Sequence, residues 1–150
     1  MNFLKNTGNQ IHFAAQNNIS IATPGRHPAH LAITNHTMTA NEFRKMALEF
    51  PGTVESAHMS HPDFRAEGRI FATLGYPDDS WGMVKLTAEQ QRAFMKRGPS
   101  VFRPCNGAWG QRGATNVHLA SVKKSLLKSA LRAAIGNTLA TAKRKRVQAA

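Results

Sequence analysis

Residues 39–86 read TANEFRKMALEFPGTVESAHMSHPDFRAEGRIFATLGYPDDSWGMVKL, a helical period followed by a series of short β-type runs. Thr39-Ala40-Asn41-Glu42 has the form of a capping box, in which the threonine hydroxyl accepts from an early helix amide and the glutamate accepts from the cap amide. Phe43, Met46, Ala47 and Phe50 then recur at helical spacing until Pro51-Gly52 stops the element. After that point the period shortens. It predicts strands over Thr53–Met59, Phe64–Glu67, Arg69–Leu74 and Trp81–Leu86, with Gly68 turning the second into the third. Tyr76-Pro77-Asp78-Asp79-Ser80 supplies a further turn.

Downstream, Thr87-Ala88-Glu89-Gln90 repeats the capping box with glutamine and opens a short helix that Gly98-Pro99 closes. The most glycine-rich stretch, Asn106–Gly113, carries Trp109 and Arg112 between Gly107, Gly110 and Gly113 and reads as a loop leading to a strand near Thr115–Leu119. A last helix has Val122, Leu126, Leu127, Ala130, Leu131, Ala134 and Ile135 on one face, with Lys124, Lys128 and Arg132 one turn apart on another. Residues 1–37 are polar and show neither periodicity, so they are expected to form a flexible leader. Met38 directly precedes the first capping box, and translation starting there is the accompanying expectation. The folded domain is therefore placed at 38–142, followed by a basic tail at 143–150.

The charge is unevenly distributed. All eight acidic residues lie between Glu42 and Glu89, whereas thirteen of the twenty Lys and Arg residues follow Gln90 with no acid among them. Such a field raises the local concentration of polyanions whatever their sequence, and favours nucleic acid or another phosphate-rich partner. Cys105 is the single cysteine. It excludes an internal disulfide and a cysteine-based zinc cage, and fits a reducing compartment. No run near the N-terminus approaches the roughly 18 apolar residues of a membrane span, which points to a soluble cytoplasmic protein with no membrane partner.

The blocks Phe50-Pro51-Gly52, His58-Met59-Ser60-His61-Pro62-Asp63-Phe64-Arg65, Gly68-Arg69-Ile70-Phe71-Ala72-Thr73-Leu74-Gly75, Trp81-Gly82-Met83-Val84-Lys85-Leu86 and Trp109-Gly110-Gln111-Arg112-Gly113-Ala114-Thr115 together resemble the MmcQ/YjbR family of small bacterial proteins. Their order over about Thr39–Ala142 is specific as a set. The resemblance implies an α+β domain of CyaY-like (frataxin-like) shape, an antiparallel sheet with helices packed on one face and hairpins projecting as a double wing. It also implies the family's usual label, DNA-binding protein. Iron handling of the frataxin type needs a carboxylate ridge on the first helix. Here Glu42 and Glu49 stand beside Arg44 and Lys45, a charge-balanced surface unsuited to hard iron ions.

For DNA, cations must sit on projecting backbone beside a few planar or forked side chains. Arg65 and Arg69 flank Gly68 and are wing-tip candidates. Arg112 lies in the glycine loop beside Trp109, whose indole either stacks on an exposed base or fills the core. Lys124, Lys128 and Arg132 add the last helix, and Lys143-Arg144-Lys145-Arg146 a mobile arm. With roughly five phosphates neutralised, log affinity is expected to fall with log salt at a slope of about −4 to −5. The bland readings are hairpin charges that discourage edge pairing and a solvated helix face. His58, His61 and Asp63 are the one cluster with metal-ligand character, but an odd spacing in an extended segment opposes a shared metal, so neither metal nor cofactor is expected. No nucleophile-base motif, Walker loop or dinucleotide fingerprint brings Cys105 or a serine to a histidine, so a non-catalytic binder is expected. A small-ligand or protein-binding adaptor using the sheet and the Trp109 loop is the alternative, and an enzyme the less favoured one.

Overall fold

The computed structural model describes residues 36–149, so the expected leader lies almost wholly outside the described residues. Helix α1 (Ala40–Leu48) opens with the expected capping box: the Glu42 amide donates to Thr39 Oγ1 at 3.2 Å and the Thr39 amide to Glu42 Oε2 at 2.9 Å. Strands β1 (Thr53–His58), β2 (His61–Ala66), β3 (Arg69–Leu74) and β4 (Trp81–Lys85) follow, then α2 (Ala88–Arg97), β5 (Phe102–Pro104), α3 (Gly107–Gln111), β6 (Ala114–His118) and α4 (Lys124–Gln148). The strands form one antiparallel sheet in the order β1-β2-β3-β4-β6-β5.

Side-chain alternation decides which face of the sheet carries the core. Phe64, Ala72, Val84 and Thr115 stand in register across β2, β3, β4 and β6, and all are fully buried. The neighbouring row is Leu74, Gly82, Val117 and Phe102. Phe43 and Met46 of α1, Phe94 of α2 and Leu127, Leu131 and Ala134 of α4 join these rows in one core. Phe43 fits because Gly82 has no side chain: a Cβ there would lie 2.8 Å from Phe43 Cε2. A bulge in the pairing of β2 with β3 leaves Phe71 without a partner between Ile70 and Ala72, and its ring is buried.

Several elements differ from the sequence reading. β2 starts at His61 rather than Phe64, because Met59 and Ser60 both adopt positive φ (50° and 65°) and close a two-residue hairpin that pairs His58 with His61. Non-glycine residues rarely take this conformation, which hid the turn. The loop at Asn106–Gly113 contains α3, and the three-residue β5 was not anticipated. α4 continues to Gln148, so the run Lys143–Arg146 extends a helix instead of forming a separate arm, and Arg146 pairs with Glu67 of the β2-β3 turn.

Gly113 joins α3 to β6 where the chain passes close to Leu86. Its φ is +103°, and a Cβ would sit 2.1 Å from the Leu86 carbonyl oxygen, which is backbone and cannot swing away. Gly113→Ala is expected to lower the free energy of unfolding by about 2 kcal/mol or more, read from urea denaturation. A loss below about 0.5 kcal/mol would contradict the close approach.

Candidate functional site

A cavity of about 450 Å³ opens where the end of β4, the start of β3, α3, the first turn of α2 and the later turns of α4 meet. Arg69, Lys85 and Arg112 line it together with Trp109, Thr87 and Asn137. Each is placed by local structure. Arg69 follows the Glu67-Gly68 turn, whose residues both have positive φ. Lys85 ends β4. Arg112 caps α3, and that segment is held down by Gln91, whose buried Nε2 lies 3.1 Å from the Gly110 carbonyl and 3.0 Å from that of Ala114. Asn137 Nδ2 donates to Gln90 Oε1 at 2.6 Å, which ties α4 to the capping box of α2.

The electrostatics of the cavity are one-signed. No carboxylate lines it, and among the described residues none lies within 4.0 Å of the Arg69, Lys85 or Arg112 charge. Burial lowers the pKa of Lys85 from its ordinary 10.5, and the Arg69 charge lowers it further. The Lys85 ammonium stands 5.6 Å from the Trp109 ring centroid, a cation-π distance. Thr87 and Ala88 belong to the N-terminus of α2, whose dipole adds to the positive potential. Convergent cations beside an aromatic ring are suited to a phosphate or carboxylate group on a planar ligand.

Of the residues singled out in the sequence, Arg69, Arg112 and Trp109 come together here. Trp109 is 59% exposed, so the core reading of this indole is corrected. Gly110 permits that exposure, because a Cβ there would collide with the Cys105 carbonyl oxygen at 1.8 Å and α3 could not fold down against that segment. Arg65 is not at a wing tip. It lies in β2 with Nε 2.7 Å and Nη2 2.9 Å from the carboxylate of fully buried Asp63, whose hold raises the arginine's pKa. Lys128 donates to Glu49 at 2.9 Å, and its contact with α1 puts Lys124, Lys128 and Arg132 on the flank of α4 away from the cavity. From Lys128 to Asn137 is nine residues, or two and a half turns at 3.6 residues per turn, which accounts for the opposite directions.

Lys85 was missed. The alternation of β4 carries the signal, since Trp81, Met83 and Lys85 share the face opposite the core residues Gly82 and Val84. His58 and His61 pair directly across the hairpin, but Asp63 is engaged by Arg65. Among the described residues, no group of three His, Cys, Asp or Glu side chains is placed to hold a metal. The Cys105 thiol donates to Asn116 Oδ1 at 3.0 Å, and burial pushes its pKa up to about 11.

A model of the YjbR family matches residues 48–134. The chain belongs to the YjbR family. The match includes Arg69, Lys85, Trp109 and Arg112, while Asn137 and Thr141 of the cavity wall lie beyond it. Among solved structures, the Deinococcus radiodurans protein DR2400, which carries the family domain DUF419, is similar with a TM-score of 0.55 and 19% identity over 65% of this chain and 76% of that one. The likeness is one of fold. No curated protein matches the chain.

The lowered pKa of Lys85 makes its charge a destabilising one. Below that pKa the side chain is charged in both folded and unfolded states and the desolvation cost is present in full. Above 10.5 it is neutral in both and the cost is gone, so stability rises with pH through the window between. Lys85→Met is therefore expected to unfold at higher denaturant concentration than the parent at pH 7, with the gap narrowing as pH passes 10. A variant less stable at pH 7 would show that the charge is compensated.

Proposed function

We propose that this YjbR-family protein is a non-catalytic, cytoplasmic DNA-binding protein that grips one phosphate in the Arg69-Lys85-Arg112 cavity and stacks an unpaired base on Trp109. The observation that carries this reading is the convergence of three cations with no carboxylate partner among the described residues, one of them desolvated. Holding like charges together costs stability, and an anion between them removes that cost. The exposed indole adds a sequence-tolerant contact available only where bases are unstacked, which favours single strands and ends over continuous duplex. The high pKa of Cys105 opposes thiolate chemistry at neutral pH, in keeping with a binder.

This reading uses fewer phosphate-contacting residues than the sequence implied. With Arg65 committed to Asp63, and Lys124, Lys128 and Arg132 facing away, this reading has the cavity neutralise one phosphate in place of the expected five. With about 0.7 counterions released per phosphate on a single strand, the salt slope becomes about −0.7, against −4 to −5 for the larger set. Fluorescence anisotropy of a labelled single-stranded oligonucleotide is expected to show this slope. Arg112→Gln or Lys85→Gln should each weaken binding about tenfold, and Lys128→Gln hardly at all. Binding indifferent to salt, or weakened equally by Lys128→Gln, would overturn the assignment.

A second reading has its own support. Met59, Tyr76 and Trp109 are exposed apolar side chains that line one cavity, and an adaptor that docks a protein partner on that surface would use them. It predicts salt-insensitive capture of a partner that survives nuclease treatment and is lost with Trp109→Ala.

A further inference from the structure

A second cavity, of about 400 Å³, adjoins the first, and Ile70 and Trp109 line both. Its remaining wall includes Met83 and Thr73, which pair across β4 and β3, Cys105 just after β5, and Tyr76 and His61, whose rings meet edge-on at 6.2 Å. The two volumes each fall within the roughly 300–1,000 Å³ of small-ligand pockets. One side of Trp109 is therefore cationic and the other apolar and aromatic. Resting on the phosphate-binding reading above, the geometry points to a site for a single nucleotide, its phosphate among Arg69, Lys85 and Arg112 and its base in the apolar cavity beyond Trp109.

The chemistry of the second cavity selects a planar aromatic group over an alkyl chain. Trp109, Tyr76 and His61 present rings from different elements, and rings prefer stacked or edge contacts with another ring. Asn106 supplies an amide for the edge of a base. It is the N-cap of α3, yet its side chain makes no capping bond, unlike Thr39 and Thr87, which both cap their helices. The ligand class is thus a nucleoside monophosphate, free or as the phosphorylated end of a single strand. A strand passing through with only phosphate contacts would leave the aromatic cavity unused.

Calorimetric titration of the full chain with a nucleoside 5′-monophosphate, ribose 5-phosphate and octyl phosphate tests this. The nucleotide is expected to bind about tenfold tighter than ribose 5-phosphate, the scale of one stacked base. Met83→Trp, which fills the apolar cavity, should abolish that ratio while leaving ribose 5-phosphate affinity in place. Because Met83 is buried and its replacement can disturb folding, exposed Asn106→Ala is the companion variant, expected to weaken the nucleotide and leave ribose 5-phosphate unchanged. Equal affinity for nucleotide and ribose 5-phosphate would overturn the inference, and so would octyl phosphate binding as tightly as the nucleotide. If those results came with salt-dependent oligonucleotide binding intact, the phosphate reading would stand alone. Absence of binding to ribose 5-phosphate and to oligonucleotides alike would remove both.

Discussion

The seating of α4 on β3 and β4 is the constraint on which the rest of the molecule depends. Leu127, Ala130, Leu131 and Ala134 are fully buried along the stripe that closes the core over the sheet. A helix so fixed must direct its two flanks to different neighbours. One flank brings Lys128 to Glu49, the C-cap of α1, and the other brings Asn137 to Gln90 and forms the wall of the cationic cavity. Lys128 and the cavity cations are consequently parted by this helix rather than gathered on one surface.

The fate of the carboxylates shows why the cavity differs from other basic parts of the chain. Glu49 holds Lys128, Glu55 holds Arg44, Asp63 holds Arg65 and Glu67 holds Arg146. Glu42 is drawn into its capping box, where the Thr39 amide and then His36 lower its pKa to about 2. Arg103, whose charge adds to the Ser80 hydrogen bonds in lowering the pKa of Asp78, lies 3.8 Å from the Trp81 ring centroid. With so many charges committed, Arg69, Lys85 and Arg112 stand apart by sharing a concave site that, among the described residues, no acid lines. The first helix and its neighbouring strand are correspondingly charge-balanced, far from the clustered oxygens that hard iron ions require.

Local chemistry made much of the fold legible. Both capping boxes form as the residue types imply, and the positions of β3, β4 and β6 follow from period and turn residues. What escaped depends on contacts distant in sequence. β5 is three residues ending in Pro104 and exists because it pairs with β6, which no local pattern announces. The hairpin at Met59-Ser60 lacks the glycine or asparagine that usually marks such a turn. At the site, Arg112 and Trp109 were readable as an unusual pair in a glycine-rich stretch. Lys85 was not, because a lysine ending a strand resembles any solvated edge until α3 and α4 close around it.

Trp109 joins the fold argument to the functional one. An indole on a five-residue helix would ordinarily turn inward, yet the carbonyl of Cys105 occupies the space beside Gly110 and Gln91 pins the following turn from the other side. These contacts anchor the helix by its backbone, so Trp109 is not needed as a core residue and its ring is left between two cavities of opposite character. In the nucleotide reading, a side chain with one polarity on each side would discriminate by demanding both from the ligand. A bare phosphate satisfies only the cationic half and an apolar molecule only the other. For the nucleotide proposed above, selectivity would therefore depend less on the strength of either half than on the rigidity of the short helix that keeps them adjacent.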